Sequence, residues 1–381
     1  MHVLVVIDRI GVQGGSEAST IAIVRGLQGP QLRFSIVCLH PSPEASDSEE
    51  LEHLGVPVTV LPQGRVARLI EFRRVVRRLR PDVLHAVLFE ANLVARTVGP
   101  VCRVPVISSL VSSQYDRLAM RAAPSMWKKE VVRAVDIVSG RVGVARFHAV
   151  SESVADHAQR RLRVKPARIE VVERGRDPVV LGVNSPERRA AVRMRIGVSP
   201  EAPMVLAVAR HEPAKGLDVL VSAMADVRRI MPDARLLVAG REGTETPCLR
   251  KLIAEAGLEQ TVHLLGNRND VADLLAACDV FVLPSRWEGL PGAVLEAMAL
   301  EAPIVASDIP GVRDALGESD ALLPPGDASA LGEALLRMLQ FGADEAVVAR
   351  YRRRFEERFT TEAMLLGMRR LYGRFDRQRY R

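Results

Sequence analysis

The chain has 381 residues, 48% of them hydrophobic and 26% charged, with a net charge of +7. That length exceeds one ordinary hydrophobic core and fits two domains, and the composition is that of a soluble globular protein with neither low-complexity stretches nor a solenoid repeat. The first apolar run stops at Asp8, too short for a signal peptide or a membrane span, and no later run reaches spanning length, so a cytoplasmic protein is expected.

Val3–Ile7 is a continuous apolar run, the pattern of a strand buried on both faces. It enters a glycine-rich turn, Asp8 to Glu17, followed by helical spacing at Ile21, Val24 and Leu27. Phe34–Leu39 and Val56–Leu61 read as strands, and 65–80 as a basic amphipathic helix. Further strands are expected at Val83–Leu84, Val106–Leu110 and Phe147–Val150, with Ser151 placed to cap the next helix. From Asp177 to Pro203 the chain is polar, with Gly182, Asn184 and Pro186, and reads as a linker. The alternation then restarts. Strands are expected at Met204–Ala209, Ala234–Ala239, Val262–Leu265, Val280–Leu283, Ile304–Ala306 and Ala321–Leu323. Helices are expected at Leu217–Ile230, Leu249–Ala256, Val271–Ala277 and Pro291–Leu300. Two doubly wound α/β domains follow from this alternation, facing across a cleft, with ligands at strand C-termini. The boundaries expected are 1–178, 179–355 and a C-terminal helix, 356–381, crossing back to the first domain.

Cys38, Cys102, Cys248 and Cys278 have no paired spacing and read as core residues in a reducing compartment. The positive charge is almost all arginine, with five lysines: Lys128, Lys129, Lys165, Lys215 and Lys251.

The residues of chemical interest cluster in the second half. Pro284-Ser-Arg-Trp-Glu-Gly-Leu-Pro-Gly-Ala-Val-Leu-Glu-Ala-Met-Ala299 runs from a buried strand through a tight loop into a helix. It carries Glu288 and Glu296. Helix N-termini attract phosphate, and carboxylates accept hydrogen bonds from sugar hydroxyls. Glu296 sits among apolar neighbours, so it is expected to be partly buried and partnered, rather than a surface helix charge. Arg210 ends a strand, and Lys215-Gly216 precedes a helix. Two cations at such an edge suit a diphosphate, although exposed charges are an equal reading of that pair alone. Gly14-Gly15 allows close backbone approach to a ligand, a weak signal without a full dinucleotide fingerprint or a Walker lysine. His85 follows a strand and is either a structural histidine or a cleft residue orienting a sugar. The helix 65–80 carries Arg73, Arg74, Arg77 and Arg78 around Phe72, Val75, Val76 and Leu79. It is either a solvated face or a contact for anionic lipid, which residues 117–133, with Met120, Met126, Trp127, Lys128, Lys129 and Arg133, would join.

These motifs make the chain resemble the retaining glycosyltransferases of GT-B fold, group 1 or family 4. The likeness is strongest in Ala207-Val-Ala-Arg210, Lys215-Gly216, Leu236–Gly240, Val262–Gly266 and the Glu-x7-Glu span Glu288 to Glu296. It is looser in Gly14-Gly15-Ser-Glu17, Pro81-Asp-Val-Leu-His85, Ala91-Asn92 and Ala149–Ser151. The resemblance implies a UDP- or GDP-sugar donor, and a sugar, lipid-linked or small-molecule acceptor. Glu296 would bind the donor ribose, Glu288 the donor sugar, and Arg210 and Lys215 the diphosphate. Gly289 and Leu290 would supply backbone N–H groups, and Gly15 would approach the diphosphate or sugar. It implies no cofactor and no metal. The chain departs from the family at Val87 and Glu90, where relatives carry histidines. It departs again in Val172-Glu-Arg-Gly-Arg-Asp177, where they have Asn-Gly-x-Asp, and at Asp314, where glutamate is usual. The acceptor loops are expected near Ser108–Tyr115.

The rival readings are another GT-B enzyme, such as a sugar-nucleotide epimerase or a phosphorylase, and a basic module that binds membrane or nucleic acid. No lysine is obviously placed for a phosphorylase's pyridoxal phosphate. Aromatic content of 4% without basic–aromatic interleaving argues against a nucleic-acid partner.

Overall fold

A computed structural model describes residues 1–10, 15–41, 51–318 and 322–376. Gly14, Ala321 and the last five residues of the expected C-terminal helix lie outside the described residues. The chain divides into two units. One comprises Met1–Gly175 and the chain from Thr361 onward; the other is Arg176–Thr360.

The first unit is built on β1 (His2–Ile7), β2 (Arg33–Cys38), β3 (Val58–Val60), β4 (Val83–Val87), β5 (Val106–Leu110), β6 (Arg146–Ala149) and β7 (Ile169–Val171). Their order in the sheet is β3-β2-β1-β4-β5-β6-β7, and every pairing is parallel. The apolar run of β1 is continuous because successive side chains serve two cores. Val3, Val5 and Ile7 point into one, Leu4 and Val6 into the other. The helix Thr361–Gly373 joins the first of these cores through Met364, Met368, Leu371 and Tyr372.

The second unit has β8 (Met204–Val208), β9 (Arg235–Ala239), β10 (Val262–Gly266), β11 (Val280–Leu283), β12 (Ile304–Ser307) and β13 (Leu322–Leu323). Their order is β10-β9-β8-β11-β12-β13, again all parallel. Two parallel-sheet α/β domains therefore make up the chain.

The structure departs from the sequence reading in two places. The polar stretch read as a linker contains the helices Pro178–Leu181 and Pro186–Arg195. The arginines of the second dock on the helix Val271–Ala277 and on Asp279, the residue before β11. Arg193 Nη2 reaches Asp279 Oδ2 at 2.7 Å, and Arg188 Nε reaches Asp273 Oδ1 at 3.0 Å. Polar composition concealed a packed helix because its partners are carboxylates and carbonyls rather than apolar side chains. The C-terminal helix is two helices, Glu345–Arg358 and Thr361–Gly373, separated where Phe359 is buried and its carbonyl accepts from Arg176 N at 2.8 Å.

Candidate active site

In an open parallel sheet, ligands bind beyond the strand C-termini where the strand order reverses. In the second unit that point lies between β8 and β11, which pair Val205 with Val280 and Leu206 with Phe281. The two chain segments singled out by sequence, Arg210–Gly216 and Pro284–Glu296, leave these two strands and therefore meet.

Their junction is tight. Gly216 has φ of 60°, and a Cβ there would lie 2.1 Å from Pro284 O. Only glycine permits that contact in the left-handed region. The loops are clamped further by Arg286, whose backbone N donates to Ala214 O at 2.7 Å. Its guanidinium grips both oxygens of Asp218 at 2.9 and 2.6 Å. That bidentate bond holds the Asp218 carboxyl below its ordinary pKa against the opposing effect of burial.

On this clamp, Lys215 Nζ donates to Glu288 Oε1 at 2.5 Å, and Ser285 Oγ donates to the same oxygen at 2.9 Å. Arg210 is exposed at the end of the β8 segment, and no side chain among the described residues pairs with its guanidinium. The next residue, His211, is fully buried and bonds Thr246 Oγ1 at 2.9 Å, fastening the loop after β9. Gly289 and Leu290 are buried in the turn that leads to the helix Gly292–Ala299. Its first amides face no side-chain cap. Glu296, in the second turn, accepts from Arg176 Nε at 2.6 Å, as its apolar surroundings require.

Arg176 is the residue that sequence reasoning missed. It lies in the segment that departs from the family pattern, 120 positions from Glu296. A Cβ on Gly292 would meet the Arg176 guanidinium at 2.1 Å, so glycine at the helix start makes room for it. The signal available was the departure itself, which puts a cation beside the glycine of that turn.

In the first unit the order reverses between β1 and β4. Gly15 opens the helix Gly15–Leu27, and a Cβ there would lie 3.1 Å from Arg174 Nη1. Arg174 Nη2 donates to Ser16 Oγ at 3.1 Å. His85 is not an open cleft residue. It is 2% exposed, with Nδ1 on Tyr372 Oη at 2.7 Å and Nε2 on Ser109 Oγ at 2.8 Å. Ser109 continues to His148 Nδ1 at 2.9 Å, and His148 Nε2 to Val172 O at 2.9 Å. Both ring nitrogens of His85 are occupied, which favours the structural one of its two readings. The stretch Ser108–Tyr115, near which the acceptor loops are expected, is open only in part. Ser108, Ser109 and Tyr115 are buried and bonded internally, leaving only the residues between Leu110 and Tyr115 partly open.

This histidine chain predicts an acid response. Burial lowers His85 to about 3 and His148 to about 4. Both are neutral in the fold, whereas the unfolded chain binds protons below about 6.5. Stability is therefore full above pH 6.5 and falls as pH drops towards 4. The loss is about 2 kcal/mol per histidine at pH 5, from 1.36 kcal/mol per pH unit. A denaturation midpoint that stays flat from pH 7 to 5 would contradict this.

The family described as glycosyl transferase 4-like domain matches residues 14–175, and glycosyl transferases group 1 matches 202–340. An alpha-D-kanosaminyltransferase of Streptomyces kanamyceticus is 27% identical, over 67% of this chain and 65% of that protein, just under two-thirds of its length. A phosphatidyl-myo-inositol mannosyltransferase of Mycobacterium leprae is 29% identical over 87% of this chain and 84% of its own. A D-inositol 3-phosphate glycosyltransferase of Mycolicibacterium vanbaalenii is 30% identical over 77% of this chain and 67% of its own. Among solved structures, Anabaena HepE in complex with UDP-glucose aligns with a TM-score of 0.84 at 21% identity, covering 97% of this chain and 99% of that one. With two parallel-sheet domains, each matched by its own glycosyltransferase family, the chain belongs to the group 1, family 4 glycosyltransferases of GT-B fold.

Proposed function

We propose that the protein moves a sugar from a nucleoside-diphosphate sugar to an acceptor hydroxyl, with retention at the anomeric carbon, in polysaccharide, glycolipid or glycoconjugate synthesis. The observation that supports this reading is the β8–β11 edge, where the segments carrying Arg210 and Lys215 and carrying Glu288 and Glu296 leave adjacent strands and Lys215 pairs with Glu288. UDP or GDP is the donor nucleotide, in keeping with HepE, which was solved with UDP-glucose.

The roles follow from chemistry. The anomeric C–O bond to the diphosphate breaks, and a bond to the acceptor oxygen forms on the same face. The acceptor proton passes to the departing phosphate oxygen. Negative charge grows on the diphosphate, where Arg210, Lys215 and the amides that open the helix Gly292–Ala299 stabilise it. Glu288 binds a donor-sugar hydroxyl. Its Oε1 is taken by Lys215 and Ser285, which leaves Oε2 for that hydroxyl. Glu296, fixed by Arg176, takes the ribose hydroxyls. Gly289, Leu290 and Gly15 supply close backbone approach. Neither cofactor nor metal enters this mechanism, because side-chain cations and helix amides meet the charge.

The protein acts in the cytoplasm. Among the described residues no helix is long and apolar enough to cross a membrane. The acceptor is a sugar, a small molecule or a lipid-linked hydroxyl, the last in keeping with the name of the phosphatidyl-myo-inositol mannosyltransferase.

Screening nucleotide-sugars by thermal shift identifies the donor. With that donor, Glu296→Ala and Arg210→Ala each lower turnover at least tenfold and weaken the donor-dependent shift. If both variants turn over at the wild-type rate, the site is elsewhere.

A further inference from the structure

The helix Met126–Gly143 in the first unit is inside out. Trp127, Val131, Val135, Val138 and Val142 are 68%, 52%, 45%, 65% and 76% exposed. At 3.6 residues per turn these five fall within an arc of about 80° and run for about 22 Å. The opposite side faces the protein and is the polar one. Asp136 is buried against Arg96, and Gly140 and Gly143 are buried beside Phe147 and the Arg96 backbone. A soluble helix ordinarily presents the reverse arrangement.

The charge around this face tells what covers it. Lys128 and Arg141 are exposed, and the same helical arithmetic places them on either side of the apolar arc. The helix's two carboxylates are both engaged, Asp136 with Arg96 and Glu130 with Arg133 Nη2 at 2.6 Å. A valine stripe ending in tryptophan, bordered by cations that can extend along it, matches an anionic lipid surface. A second copy of the chain would set one cation-bordered face against another.

We infer that the Met126–Gly143 helix lies in the plane of an anionic membrane, with Trp127 and the valine stripe inserted between headgroups. This surface is distinct from the arginine-rich helix Arg65–Leu79, and Met120, expected from sequence to join such a patch, is buried. The inference stands apart from the proposed reaction, because binding is read without donor or acceptor.

The experiment is co-sedimentation of the full chain with phosphatidylcholine vesicles, with and without one-third phosphatidylglycerol. The anionic vesicles bind at least tenfold more tightly than the neutral ones. Val138→Glu/Val142→Glu, at two exposed positions where burial is not at stake, lowers that affinity at least tenfold with an unchanged thermal midpoint. With Trp287→Phe as background, Trp127 emission shifts to the blue on anionic vesicles. The shift survives Arg73→Glu/Arg77→Glu on the other helix. The inference falls if the wild type ignores anionic vesicles, or if the double glutamate variant binds as well as wild type. It falls equally if gel filtration shows a dimer that the double variant turns into a monomer, since the covering partner is then a second copy.

Discussion

Lys215→Ala lowers sugar transfer by about 10²–10³-fold, the loss that follows removal of one preorganised donor to developing charge. Lys215 makes two contributions in one geometry. In the proposed mechanism it offers a cation to the leaving diphosphate, and in the structure it holds Glu288 Oε1 at 2.5 Å. Its removal leaves a largely buried carboxylate with, among the described residues, the Ser285 hydroxyl as its remaining side-chain partner. Gly216→Ala reaches the same result indirectly. The new methyl group lies 2.1 Å from Pro284 O in a left-handed backbone, so the turn must move off the end of β11 and take Lys215 with it. Steady-state kinetics with the donor found by thermal shift measure both. Lys215→Ala depresses kcat more than it raises KM if the lysine acts mainly on the transition state. A Lys215→Ala enzyme within threefold of wild type removes the lysine from the diphosphate site.

Much of that site is visible in sequence because its parts are local. β11, the loop and the helix Gly292–Ala299 are contiguous, and strands of a parallel sheet with both faces covered appear as unbroken apolar runs. Arg210 and Lys215 come from another strand, but the rule that strand order reverses at the binding edge brings the two segments together. Arg176 has no such route. Its bond to Glu296 closes a loop of 120 positions, and nothing in its own neighbours announces the partner. His85 shows the other limit. A histidine after a buried strand has the same sequence appearance whether its ring nitrogens face a ligand or meet Tyr372 and Ser109. Periodicity also misleads in the Met126–Gly143 helix, since the apolar positions mark the exposed side and the core is reached by Asp136.

That aspartate belongs to a buried ion pair of the first unit. The Arg96 side chain is 1% exposed and that of Asp136 4%, and they form a direct ion pair. Tyr115 Oη donates to Asp136 Oδ2 at 3.0 Å, while Arg96 Nη2 donates to Ser108 Oγ at 2.7 Å. Burial and the Asp136 carboxylate push the Tyr115 phenol well above its ordinary range, so it remains a donor. Asp136→Ala leaves a buried guanidinium with hydroxyls and a carbonyl but no counter-charge. Breaking such a pair costs about 3–5 kcal/mol. For a unit of this size that corresponds to a thermal midpoint lower by about 6–20 °C. Asp136→Leu with Arg96→Met removes both charges together and recovers most of the loss, because the unpaired charge rather than the missing contact is what destabilises. Rotating the helix to bury its valines would bring the same two charges apart, so this pair also fixes which side of Met126–Gly143 faces out. An Asp136→Ala protein that unfolds within 1 kcal/mol of wild type, by the ~1.4 kcal/mol per tenfold scale of its folding constant, would show that another contact sets that orientation.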